Sequence, residues 1–257
     1  MGDVIILFRF FRSKIGWLLR YPVRHQKALA MRKFKGIHAG ERCFIIATGP
    51  SLTLKDVERL RGETTFSVNS ITGFFDMTDW RPTYYGVIDA NAYSKVDRQK
   101  LKDISAVFYH SVLDYPYENG YSVPLILSHH CYHNTMLQKK HPLLFPWTKF
   151  SSDITKCVYD GRTVVYAMIQ IAVYMGFSEI YLLGADCNYH GKQMHSQHLS
   201  YENKSVDPDV GDYMIECYRV AKSYADNRGI KIYNATRGGM LEVFERVDLD
   251  TLALNDI

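Results

Sequence analysis

A repeated alternation of short apolar runs with helical stretches constrains this chain more than any other feature. The runs are Arg42–Thr48 (RCFIIAT), Thr64–Asn69 (TTFSVN), Thr83–Asp89 (TYYGVID), Ala106–His110, Val123–Ser128, Glu179–Asp186 (EIYLLGAD) and Ile230–Asn234. Between them, Leu54–Leu60, Ala92–Lys102, Gly161–Met175 and Asp212–Asn227 read as helices. The third of these is apolar nearly all round and is predicted to be buried. Strand-helix alternation implies an α/β fold with a mostly parallel sheet covered by helices on both faces. In such sheets ligands bind beyond the carboxyl ends of the strands. The polar positions closing the runs therefore matter most: Thr48, Gly49, Pro50 and Ser51; Asn69 and Ser70; Asp89; and Asp186 to Tyr189.

The charge is unevenly placed. Residues 1–37 hold nine Lys or Arg against one acid, Asp3, while the whole chain carries only +4, so the body is net negative. A nucleic-acid partner, which needs a basic groove, is disfavoured. Within VIILFRFFRSKIGWLLRY, residues 4–21, helical spacing puts Arg9, Arg12, Gly16 and Arg20 on one face. Val4, Leu7, Phe8, Phe11, Ile15, Leu18 and Leu19 fall on the other. The longest uncharged run, Val4 to Phe8, is too short to cross a bilayer. No cleavable leader pattern is present. The segment fits an interfacial helix over residues 4–24 lying on an anionic membrane; packing on its own domain or on a second subunit is the alternative. Pro22 is expected to end or bend this helix, and a chain starting near Lys33 is expected to stay folded. The expected division is thus a basic amphipathic segment, 1–37, and one α/β domain, 38–257, with 129–158 lacking a clear period and read as a lid or a small subdomain. Five widely spaced cysteines without a CxxC argue against disulfides and structural zinc, and for a reducing cytoplasmic setting.

Several motifs carry chemistry, each beside a plainer reading. The turn ATGPSLT follows the first strand: Gly49 permits close approach, Pro50 fixes the turn and Ser51 can cap the next helix. It matches neither common phosphate-loop fingerprint and is also an ordinary β-to-α turn. Asn69 can read a base or sugar edge or simply form a turn. Asp160, Arg162 and Thr163 open the buried helix, where an anion or a plain cap is expected. Asp186, in GADCNYHG, can hold ribose hydroxyls or a divalent cation. The loop beyond it holds His190, His195 and His198. His198 is the first candidate general base and His195 the second; solvated loop histidines are the plain alternative. Neither has the HExxH or Cys pair of a zinc site, so no metal ligand is assigned. His129, His130, Cys131 and His133 read as surface loop. No GxSxG nucleophile context occurs.

The order of the GPSL loop, the strand ending in Asn69, the buried helix from Thr163, GFSEIYLLGAD and the terminal IKIYNAT resembles a known superfamily. It joins MptE-like 6-hydroxymethylpterin diphosphokinases with bacterial CMP-sialic-acid-dependent sialyltransferases, with the motility-associated nonulosonic-acid transferases nearby. The resemblance covers roughly residues 40–237, and KFKGIHAGERCFIIATGPSL also looks like short MptE-like proteins of surface-polysaccharide loci. It implies a Rossmann-like, GT-A-like fold in which Gly49, Pro50, Ser51, Asn69 and Asp186 contact the nucleotide, with Tyr189 beside them. Where those transferases carry Ser-Gly at the buried helix, this chain has Val164 and Val165, after Arg162 and Thr163. Where they place their base, it has Asp209 to Asp212; His198-Leu199 matches the pair seen in the surface-polysaccharide relatives.

The resemblance yields two enzymatic expectations. One is a glycosyltransferase taking a nucleotide-activated sugar, a CMP-linked nonulosonate favoured, to a glycan or lipid-linked glycan at the inner membrane face. The other is a diphosphokinase using ATP and Mg²⁺ held by Asp186 and Asp89. A non-catalytic nucleotide-binding partner of an assembly complex is the third reading, and self-association is left open.

Overall fold

The structure is a computed structural model describing residues 2–110, 122–127, 148–190, 195, 196, 199 and 209–255. Eight strands form one sheet: β1 (Arg42–Ile46), β2 (Thr65–Val68), β3 (Tyr84–Val87), β4 (Ala106–His110), β5 (Ser122–Leu125), β6 (Glu179–Leu183), β7 (Lys231–Asn234) and β8 (Glu245–Arg246). Their order is β5-β4-β3-β2-β1-β6-β7-β8, and every neighbouring pair is parallel. The chain begins the sheet at β1, builds outward to β5, then returns to the other side of β1 and builds outward again. The order therefore reverses between β1 and β6, where the loops leaving the two strands diverge and open a crevice.

Alternation along β1 splits its side chains between two cores. Cys43 and Ile45 join one core with α4 (Val164–Met175) and α5 (Val210–Asp226). Phe44 and Ile46 join the other with Val57 of α2 (Leu54–Arg59) and Ala92 of α3 (Ala90–Lys95). Ten of the twelve residues of α4 are buried, which accounts for its unbroken apolar surface.

Strands β1, β2, β3 and β6 stop before the polar residues that close their apolar runs, leaving those residues outside the strands. The helix expected over Gly161–Met175 starts at Val164. The one expected over Ala92–Lys102 is two pieces. Val96 is extended, and Asp97 caps a separate 3₁₀ turn, Arg98–Leu101, by accepting from Gln99 N. Strand β8 was not expected; two residues are too few to show alternation. Of the stretch 129–158, residues 148–158 are described, and a parallel bridge ties Val158 to Leu127; the remainder lies outside the described residues.

The N-terminal helix α1 spans Gly2–Ala28 and runs through Pro22 instead of ending there. Proline removes one helical hydrogen bond, but tertiary contacts hold the last turns. The helix packs on β5, and at its end Ala28 is fully buried and His25 Nδ1 lies 3.0 Å from Thr155 O. A 3₁₀ turn follows at Leu29–Phe34, with Met31 and Phe34 buried. Gly36 N and His38 N then donate to Tyr174 O and Met175 O at the end of α4. The later part of the basic segment is thus built into the body. A chain starting at Lys33 would lose Ala28 and Met31 from the core and is expected to be less stable. Further back, Val4, Phe8, Phe11, Ile15, Leu18 and Leu19 are 54–77% exposed along one face. Among the described residues no helix is long and apolar enough to cross a membrane.

Candidate functional site

The crevice at the strand-order reversal is a cleft of roughly 510 Å³, counted with its open mouth. Its floor is the extension of β1 and β6. Ala47 N donates to Leu183 O at 2.8 Å and Gly49 N to Gly184 O at 2.9 Å, so the two chains stay paired into their loops. A side chain at Gly49 would overlap both the Asp186 carboxylate and Gly184 O. Glycine here is demanded by the carboxylate's position.

Ser51 does not cap the next helix. Its hydroxyl donates to Asp186 Oδ2 at 2.8 Å, while Thr53 caps α2 in a reciprocal box with Asp56. The Ser51 contact joins the GPS loop to the β6 end. Burial pushes the Asp186 carboxyl above its usual range, and the Ser51 hydrogen bond partly offsets this. Behind Asp186, Met240 N donates to its carbonyl at 2.7 Å, Thr236 Oγ1 accepts from Ala185 N at 3.0 Å, and a side chain at Gly239 would run into the Asp186 backbone.

Asn69 has a left-handed backbone, φ 47°, and its carbonyl accepts from Tyr85 OH at 2.6 Å. Its Oδ1 is buried without a hydrogen-bond partner among the described residues, as is Ser70 Oγ beside it. A buried acceptor left unpaired costs about 1–3 kcal/mol, a cost that a bound donor removes. Thr163 caps α4, accepting from Val165 N at 3.3 Å; Asp160 instead accepts from Arg162 N at 3.3 Å. Burial raises the Asp160 carboxyl to about 6, with the Arg162 backbone and charge opposing.

His195 lines the cleft with Nδ1 3.2 Å from Thr48 Oγ1, and Ser196 N donates to Thr48 O at 2.9 Å. Burial lowers the His195 pKa, the Thr48 contact opposing. The ring is therefore neutral near pH 7 and able to accept a proton.

Of the residues expected at the site, the structure brings Thr48, Gly49, Asn69, Thr163, Asp186, Tyr189 and His195 to the cleft wall. Ser51 supports Asp186 from behind, and Ser70 is buried next to Asn69. Pro50 and Arg162 do not line the cleft; the Arg162 guanidinium lies 5.9 Å from the Tyr213 ring. Asp89 is exposed at the end of β3 and caps α3 by accepting from Ala92 N at 2.8 Å. His190 is exposed, and His198 lies outside the described residues. Met214 and Tyr218 of α5 also line the cleft. Nothing in their surroundings marked them, since their i, i+4 spacing is that of any buried helix face. Among the described residues, Asn69, Arg162 and Cys187 are the non-glycine positions with positive φ. Two of the three line the cleft and the third opens the helix beside it, as strained backbone at a ligand site does.

A family model described as 6-hydroxymethylpterin diphosphokinase MptE-like matches residues 20–192. The chain belongs to the MptE-like family. The match runs from before β1 into the first part of the loop after β6, and so takes in all the cleft residues named above except His195 and those on α5. Among solved structures this MptE-like chain is similar to the Maf glycosyltransferase from Magnetospirillum magneticum AMB-1. The TM-score is 0.56 and the identity 15%, over 90% of this chain and 39% of that one. That likeness bears out the Rossmann-like fold. The chain spans well under half the length of its structural neighbour. A search of curated proteins returns no match.

Proposed function

We propose that this chain is a glycosyltransferase taking a nucleotide-activated sugar, with a CMP-linked nonulosonate favoured, to a glycan or lipid-linked glycan of a bacterial surface polysaccharide or glycolipid. The observation behind this reading is the convergence of Asp186, the Gly49–Ser51 loop, the unpaired Asn69 Oδ1 and a neutral His195 at the strand-order reversal. Asp186 and Asn69 suit the hydroxyls and base of a nucleoside. Thr163, at the amino end of the twelve-residue α4, suits its phosphate. His195 removes the proton from an acceptor hydroxyl as that oxygen bonds the anomeric carbon. The bond from that carbon to the nucleotide phosphate breaks, and its electron pair stays on the phosphate oxygen. His198 is the second candidate for the base. The structural neighbour's description as a glycosyltransferase supports the class.

The family description favours a second reading, transfer of diphosphate from ATP with Mg²⁺. Of its two proposed carboxylates, Asp186 lines the cleft while Asp89 caps α3 away from it, which supports this reading less well. Thermal-shift measurements with CMP, CDP, UDP, GDP and ATP, each with and without Mg²⁺, separate the two. Stabilisation by CMP without metal is expected; stabilisation by ATP with Mg²⁺ alone would transfer the assignment to the kinase.

The same reading places the chain peripherally on the inner face of the membrane. The exposed stripe from Val4 to Leu19 suits the acyl boundary, and the basic residues around it suit anionic headgroups. Cosedimentation of the full chain with phosphatidylglycerol vesicles at low salt is expected. Failure to cosediment would assign the stripe to a subunit contact.

A further inference from the structure

Asp186 is held from two sides, and those two sides are joined again farther out. On one side, the Ser51 hydroxyl in the loop after β1 donates to Asp186 Oδ2 at 2.8 Å. On the other, the loop after β7 carries the Asp186 backbone. Met240 N donates to Asp186 O at 2.7 Å, and a side chain at Gly239 would overlap the same backbone. The fully buried Asn234 closes this loop at its base, its Nδ2 donating to Leu241 O at 2.6 Å and its Oδ1 accepting from Thr236 N at 3.0 Å. From the middle of the loop Arg237 extends to α2, where its Nη1 donates to Asp56 Oδ1 at 2.7 Å. The other oxygen, Asp56 Oδ2, accepts from Thr53 N at 2.9 Å and from Thr53 Oγ1 at 2.8 Å. Thr53 stands two residues after Ser51. One buried carboxylate therefore joins both loops: Oδ2 holds the end of the loop after β1, and Oδ1 holds the loop after β7.

The Arg237 side chain is 45% exposed, so water can replace its guanidinium and the pair itself adds little to stability. What the pair fixes is position. The loops after β1 and β6 diverge at the strand-order reversal, and a hydroxyl contact alone would leave the Asp186 carboxylate able to turn away from Ser51. A second tie between the segments that hold it removes that freedom, and ligand-binding groups need their placement held to within about 0.5 Å. We propose that Asp56 and Arg237 are positioning residues of the cleft: their ion pair ties the loop carrying the Asp186 backbone to the loop carrying Ser51, and so holds the carboxylate where it meets a nucleotide. For its ligand this rests on the nucleotide reading of the cleft, and for the loops on the contacts alone.

The test uses two variants of the full chain, Arg237→Gln and Asp56→Asn. Both open the pair, but they change the local charge in opposite directions, so a field effect and a positioning effect are told apart. Asp56→Asn keeps an oxygen for the Thr53 cap. Each variant is titrated calorimetrically with CMP. Separately, the Asp186 carboxyl is followed by carbon NMR against pH without ligand, its signal assigned with Asp186→Asn. Both variants should weaken CMP by about three- to thirtyfold, the range for a network contact that touches no ligand. Arg237→Lys should recover most of the affinity. Without ligand, both variants should raise the pH at which Asp186 titrates, because the Ser51 hydrogen bond that opposes its burial is loosened. Shifts of opposite sign in the two variants would mark a field effect and overturn the proposal. So would an Asp186 titration that stays put in either variant, or CMP affinities in both within about twofold of a wild type that binds. If CMP does not bind the wild-type chain while Asp186 shifts upward in both variants, the nucleotide reading falls and the positioning role stands.

Discussion

Replacing Gly49 by alanine should damage the cleft and the fold together, because one methyl group meets both sides of the strand-order reversal. It would overlap the Asp186 carboxylate and the Gly184 carbonyl, the second of which is backbone paired with Gly49 itself. Overpacking of this kind costs about 1–3 kcal/mol. For a chain of this size that lowers the melting temperature by roughly 2–12 °C. The carboxylate is the softer partner and is expected to rotate away, breaking its bond from Ser51. Nucleotide binding should then weaken by roughly 1.5–3 kcal/mol, the scale of a charge-assisted hydrogen bond. Differential scanning fluorimetry measures the first effect and titration calorimetry with CMP the second. Combining the change with Asp186→Ala removes the carboxylate but leaves the carbonyl, so the two stability penalties should fall short of their sum by about 0.5–3 kcal/mol. A Gly49→Ala protein that melts and binds like the wild type, or penalties that add fully, would show that the Gly49–Asp186 contact does not shape the site.

Other outcomes follow from the same geometry. Asp186→Ala alone should weaken CMP by about 1.5–3 kcal/mol without unfolding the chain; unchanged calorimetric affinity would remove the nucleotide from this cleft. His195→Ala should lower turnover by about 10²–10⁴-fold while nucleotide affinity holds. If His198→Ala alone does so, the base lies three residues on. His110 is held neutral in the folded chain down to about pH 4, whereas in the unfolded chain it takes up a proton below about 6.5. The unfolded state binds the extra proton in that window, so stability should fall by on the order of 3 kcal/mol as pH drops through it. Urea denaturation of His110→Phe should show a flatter profile between pH 7 and 4.5, and an unchanged slope would refute the assignment. A chain starting at Tyr21 should stay folded and lose vesicle binding. One starting at Lys33 should melt lower, since it forfeits Met31, whose burial is complete.

The sheet was legible because its strands are buried on both faces and so read as unbroken apolar runs bounded by polar residues. The cleft was legible where residues lining it sit at those boundaries: Thr48 and Gly49 after β1, Asn69 after β2, Asp186 after β6. It became illegible where tertiary contact decides the role. Ser51 and Asp89 both read as polar strand-end residues, yet Ser51 supports a carboxylate while Asp89 caps a helix. Only the reversal of strand order, which brings β6 beside β1 and leaves β3 two strands away, separates them. Pro22 does not end the helix, because the packing of Ala28 and His25, which local propensity leaves out, carries the helix past it. Tyr218, Met214 and the support of Asp186 by Gly239 and Met240 come from chain segments with no local signal of their own.

The pairing of β1 with β6 has a consequence for how the chain is made. Between Gly49 and Asp186 lie the four strands β2 to β5, and the segment supporting Asp186 ends only at Met240. On the ribosome, the loop after β1 emerges long before either of its partners. Until they arrive, the growing chain holds half a sheet whose central strand β1 is a bare edge, the kind of surface on which strands of other chains pair. The cleft is therefore among the last features to form, and the nucleotide proposed for it would bind only a chain whose two halves have already met. By mass action, ligand held there fastens the halves together. Nucleotide supplied during refolding should thus raise the yield of soluble protein chiefly by suppressing separation of β6–β8 from the rest of the sheet.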